Sequence, residues 1–150
     1  MTTGPTRRTL LAGGCVAVVA AAGIGWGVTA RDRFGGAVMD PAAVHRAATS
    51  GEVLLLDIRR PEEWDRTGVP EGGRPLDMRR DDFVAAVDAL TGGDRTTPVA
   101  LICAGGVRSD RTGARLAEAG FTNVIDVSEG MLGSAAGPGW LARGLPVVRP

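Results

Sequence analysis

The sequence has no lysine, a single histidine, two cysteines and no excess of either charge. Each shortage removes a class of function. The 17 basic residues, all arginine, balance 17 acidic ones, so the chain lacks the overall positive field that holds a phosphate backbone, and nucleic acid is not expected as a partner. Nor is there the acidic surplus that accompanies disorder. The exclusive use of arginine reflects codon usage and locates no site. The lone histidine, His45, supplies neither a metal-ligand set nor a Cys–His pair, so neither a metal nor a cofactor is expected. It falls in the first predicted helix and reads as a solvated residue there. No internal repeat or low-complexity tract is present, and 150 residues suffice for one ordinary core but not for two.

What is present divides into two compositionally distinct parts. Residues 1–30 run from Thr6, Arg7, Arg8 and Thr9 through an uncharged Gly/Ala/Val-rich stretch to Val28, Thr29 and Ala30. Charge, apolar run and small-residue site occur in the order an export signal requires. Arg7 and Arg8 ahead of a mildly apolar stretch resemble a twin-arginine signal, so the expected location is periplasmic or otherwise extracytoplasmic. Residues 10–29 are also about long enough to cross a bilayer, which makes an uncleaved N-terminal membrane anchor the alternative. Cys15 lacks the preceding apolar segment of a lipoprotein site. Cleavage after Ala30 would leave Cys103 as the one cysteine of residues 31–150 and exclude an internal disulfide. A lone thiol in an oxidising compartment points to a reactive role before a packing role.

Residues 31–150 alternate between helical and strand patterns. Asp40 before Pro41 has helix-start chemistry, and the helix it opens ends at Ser50 before Gly51. Val53 to Leu56 and Val99 to Cys103 are short continuous apolar runs, as expected of strands buried on both faces of a parallel sheet. Between them lie a Pro/Gly-rich connection and a predicted helix over 81–90, closed by Gly92 and Gly93. A further helix is predicted over 109–119 and a strand over 124–127. Gly137 to Gly139 mark a loop before Trp140. The fold class is therefore α/β with a parallel sheet.

The chemistry concentrates in Cys103-Ala104-Gly105-Gly106-Val107-Arg108-Ser109, at the carboxyl end of a buried strand and the start of a helix. Ligand chemistry in parallel α/β sheets gathers at that edge. A thiol there meets unpaired backbone N–H groups and the positive end of the helix, both of which stabilise a thiolate. Gly105 and Gly106 let the loop curl, and Arg108 adds a permanent cation with a planar fork for an oxyanion.

These residues resemble the rhodanese family. Its active-site loop, C-x-x-G-x-R, is met by Cys103, Gly106 and Arg108, its helix-to-strand pattern by Ser109, Leu116, Gly120, Phe121, Asn123 and Val124, and its C-terminal signature by Gly130, Trp140 and Gly144-Leu145-Pro146-Val147. Asp57, Arg59, Pro61, Glu62, Glu63 and Trp64 resemble its D-x-R-x-x-x-E segment. The resemblance implies a twisted five-stranded parallel sheet flanked by helices. It implies a sulfurtransferase in which Cys103 takes a sulfane sulfur from a small-molecule donor such as thiosulfate and yields it to a thiol or cyanide. The amides of Ala104, Gly105, Gly106, Val107 and Arg108 would hold the charged sulfur, and Arg108 would orient the donor. Four residues between Cys103 and Arg108 match the sulfurtransferase loop rather than the longer loop of phosphatase relatives. Two departures bear on the donor: Ala104 stands where many relatives have arginine, and Thr67 to Gly72 lacks the histidine of the usual stretch.

Asp57 and Arg59 read as a fold-stabilising pair, and Trp64 and Trp140 as core or pocket-wall packing. The alternative function is a non-catalytic binding module, or a dedicated persulfide carrier to a partner protein, built on the same fold. Such a module has no need of the nucleophile or the open loop, and this sequence has both.

Overall fold

The computed structural model describes residues 35–150; the expected signal or anchor at residues 1–30 lies outside the described residues. From Ala37 onward the chain forms β1 (Ala37–Val38), α1 (Pro41–Thr49), β2 (Leu54–Asp57), α2 (Pro61–Thr67), β3 (Val69–Pro70), β4 (Gly73–Pro75), α3 (Phe83–Leu90), β5 (Val99–Ile102), α4 (Val107–Glu118), β6 (Val124–Asp126), α5 (Gly139–Ala142) and β7 (Val147–Val148). Five strands build one parallel sheet in the order β1-β6-β5-β2-β4. β3 and β7 pair as a second, small antiparallel ribbon.

Local chemistry explains the start of α1. The Asp40 carboxylate accepts from the N–H groups of Ala42 and Ala43 at 3.0 and 3.1 Å, and Pro41 at the first helical position gives up no bond by lacking its own N–H. Side-chain alternation along the strands then divides the core. Leu55, Ala100, Ile102 and Ile125 face α1 and Trp140. Leu56, Val99, Leu101 and Val124 face Phe83 and Val87 of α3 and Leu116 of α4. The same parity continues past the end of β5 and turns Cys103 toward α3 and α4.

Several boundaries differ from the sequence expectation. The helix after the cysteine starts at Val107, two residues early, because Gly106 takes a left-handed φ of 84° and caps it. The preceding helix starts at Phe83 rather than at position 81, after a turn closed by the Phe83 N–H on the Arg80 carbonyl. The connection after β2 contains α2, β3 and β4. His45 is not a solvated residue: its side chain is 19% exposed, its Nε2 lies 2.9 Å from Glu71 Oε2, and its ring meets Trp140 edge-on at 5.5 Å. Among the described residues no helix is long and apolar enough to cross a membrane.

Candidate active site

Cys103 follows the last residue of β5 and is buried, with 1% of its surface exposed. The Gly106 N–H donates to its Sγ at 3.2 Å, and Ser109 Oγ stands 3.6 Å from the sulfur. Ser109 is fixed by donating to the Gly106 carbonyl at 3.0 Å. Sulfur, helix cap and first-turn hydroxyl thus form one closed unit. The N–H groups of Val107, Arg108 and Ser109 are those of the first helical turn, which has no intrahelical acceptors for them.

A second segment braces the loop from outside. Met131 N–H donates to the Cys103 carbonyl at 2.8 Å and Leu132 N–H to the Ala104 carbonyl at 2.9 Å. Contact is so close that a Cβ at Gly130 would lie 2.5 Å from the Ala104 oxygen, and one at Gly106 would run into the Ser128 carbonyl. Both glycines also have positive φ, so neither position accepts a side chain without moving the loop. Glu129, within this brace, takes two bonds from Arg143 at 2.8 and 2.6 Å and one from Gly139 N–H at 3.0 Å. The hydrogen-bonded Arg143 guanidinium is the main cause that lowers the Glu129 carboxyl from its ordinary range; burial opposes it, and the Gly139 N–H and the Arg143 charge add to the lowering.

The loop cation has a partner that the sequence did not reveal. Arg108 donates to both carboxylate oxygens of Glu63, at 2.8 and 2.6 Å. The side chains are 29% and 15% exposed, so the pair is only partly screened. This bond is the main cause that takes the Glu63 carboxyl down to about 2; burial opposes it, and the Arg60 N–H and the charges of Arg108 and Arg59 add to it. Arg108 is raised in turn, again chiefly by Glu63. The expected fork is therefore present but closed on an acid of α2.

Arg59 anchors that helix. It binds Asp57 through Nε and one terminal nitrogen at 2.8 and 2.6 Å, and reaches Thr67 Oγ1 and the Gly68 carbonyl at 2.7 Å each. Both charged side chains are buried, and the pair ties the end of β2 to the end of α2. Of the expected sulfur-binding residues, Gly106 reaches Sγ, Ala104 and Gly105 are partly buried in the loop, and Val107 is exposed to 58%. Ser109 and Glu63 join the site beyond the residues singled out for it. Ser109 lay inside the motif and Glu63 inside the matched upstream segment, but neither position carried a signal of its role.

Residues 40–136 match the model of the rhodanese-like domain. The chain belongs to the rhodanese-like domain family. The chain is similar to a tRNA uridine(34) hydroxylase of Pelagibacter ubique, 27% identical over 94 residues; the match covers 63% of this chain and only 30% of that protein. An uncharacterised protein of Rickettsia prowazekii is 24% identical, with 65% of this chain and 84% of that protein covered. Among solved structures, the polysulfide-sulfur transferase homodimer of Wolinella succinogenes shares the rhodanese-like fold with a TM-score of 0.57 at 24% identity, over 74% of this chain and 77% of that one. Rv0390 from M. tuberculosis superposes with a TM-score of 0.56 at 28% identity, over 75% and 97%.

Proposed function

We propose that this domain is a sulfurtransferase that carries sulfane sulfur as a Cys103 persulfide. The observation that carries the proposal is the Gly106 N–H aimed at Sγ across 3.2 Å at the start of α4. A backbone N–H at a helix start can hold the sulfur through the transfer without requiring a histidine. In the first step the Cys103 thiolate attacks the outer sulfur of the donor. The donor S–S bond breaks, a Cys103 S–S bond forms, and the electron pair leaves on the donor remnant: thiosulfate gives sulfite and the enzyme persulfide. In the second step a thiol or cyanide attacks the outer sulfur and the Cys103 thiolate is regenerated. Two displacements through a covalent intermediate give ping-pong kinetics.

Incubation of the protein with thiosulfate or an organic persulfide is expected to add the mass of one sulfur atom at Cys103, removable by cyanide, and Cys103→Ser is expected to lose the adduct. A wild-type protein, reduced and then exposed to donors, that never gains sulfur defeats the proposal and leaves the binding module. A second reading, delivery of the sulfur to a partner protein, is favoured by Val107 and Leu132, which are 58% and 63% exposed on the loop and on the segment bonded to it. Turnover that requires a protein acceptor and fails with small thiols would establish it.

A further inference from the structure

The arginines around the loop are mostly spent on acids. Arg108 is held by Glu63, Arg59 by buried Asp57 and Arg143 by Glu129, while position 104 carries alanine. A dianion reaching for the Arg108 fork must displace a carboxylate that is bound through two short bonds and partly removed from water. That exchange gains little, because one charge-assisted pair replaces another and Glu63 loses its partner. Beside the loop, Arg59, Glu63, Arg66, Thr67 and Leu132 line a cleft of about 220 Å³. Its Leu132 wall is aliphatic and exposed. Arg66, on the rim, donates to a backbone carbonyl, that of Glu62, at 3.2 Å, and so keeps its charge uncompensated by that bond.

We propose that Glu63 sets the donor preference of the site: by closing the Arg108 fork it disfavours thiosulfate and selects an organic persulfide, whose carbon skeleton rests against Leu132 with a carboxylate at Arg66. The inference rests on the sulfur-transfer reading above and names its donor. With such a donor, R–S–SH, the Cys103 thiolate attacks the outer sulfur and the S–S bond of the donor breaks. The electron pair leaves on the R–S sulfur, which takes the proton to become R–SH, and the enzyme keeps the outer sulfur as a persulfide. Glu63 touches no reacting atom in this step. It acts through Arg108 and is a positioning residue.

The test compares loading of Cys103 by thiosulfate and by cysteine persulfide, in wild type and in Glu63→Gln. The isosteric amide removes the charge that holds the fork, so the thiosulfate-to-persulfide ratio of kcat/KM is expected to rise about tenfold to a hundredfold, the range for one charge-assisted hydrogen bond. The gain should lie mainly in the KM for thiosulfate and shrink as salt rises, because a freed cation is screened. A ratio that does not change, or a gain indifferent to salt, overturns the proposal. Arg66→Ala, on the exposed side of α2, tests the cleft even if the first variant fails to fold: the KM for cysteine persulfide should rise about two- to fivefold, as for a single exposed ion contact, while thiosulfate is unaffected. Equal effects on both donors would refute the cleft. Absence of sulfur on wild-type Cys103 with either donor would overturn the parent reading instead.

Discussion

Glu63 shows how one side chain couples a helix start to an active-site loop. Its carboxylate accepts from the Arg60 N–H at 3.0 Å at the head of α2 and from both terminal nitrogens of Arg108. The ordinary value of 4.5 falls to about 2 in the folded protein. A carboxylate lowered by folding contributes stability that is complete above its unfolded value and is lost as pH falls toward the folded one. The stability difference between wild type and Glu63→Gln is therefore expected to be constant at neutral pH and to shrink between pH 4.5 and about 2. A loss on the order of 1–2 kcal/mol is expected, reduced from that of a fully buried pair by partial exposure. Urea denaturation of both proteins across this range measures it. Comparing the two proteins removes the contributions of Asp77 and Glu129, whose carboxyls are also lowered by arginine partners. A difference that stays flat down to pH 2 would show that the ion pair does not hold α2 to the loop.

At the scale of elements, the parts legible in the sequence were those whose signals are continuous. The apolar runs of β2, β5 and β6 and the Asp40-Pro41 start of α1 each carry their own evidence, and the loop motif lies within a single stretch. Strands β1, β3, β4 and β7 are two or three residues long and exist only through pairing with distant partners, so no periodicity reveals them. The Glu63–Arg108 contact joins residues 45 positions apart, and motif spacing says nothing about where a charge on another helix will point. Gly106 is the element boundary with the most at stake. Its left-handed φ makes the cap of α4, and the Ser128 carbonyl occupies the space a Cβ would need. Gly106→Ala is expected to cost at least about 1–2 kcal/mol from the backbone conformation alone, and the collision must push the loop off Ser128. Thermal denaturation should show the loss, and sulfur loading should fall further than stability does, because the displaced N–H is the one that reaches Sγ. An alanine variant that loads at the wild-type rate would remove the Gly106 amide from the chemistry.

At the scale of the molecule, the location of the thiol and the route of the chain pose one problem. Cys103 is the free cysteine of the described residues and is buried; it is shielded only when β5, α4 and the bracing segment have assembled around it. An unfolded chain crossing into an oxidising compartment would present this thiol bare to mixed-disulfide formation. Export after folding avoids that exposure, and Arg7-Arg8 ahead of the apolar stretch resembles the address such a route reads. We propose on these grounds that the protein leaves the cytoplasm already folded. Replacing Arg7 and Arg8 together by lysine is expected to retain full-length, folded precursor in the cytoplasm, since the charge is kept but the address is lost. Fractionation followed by sulfur loading of the cytoplasmic pool measures both points. A mature N-terminus near Arg31 in the wild type would establish cleavage, and retention of residues 10–29 in a membrane fraction would establish an anchor. Unchanged export of the lysine variant would assign the chain to the general secretory route, and the protection of Cys103 would then have to come from another source.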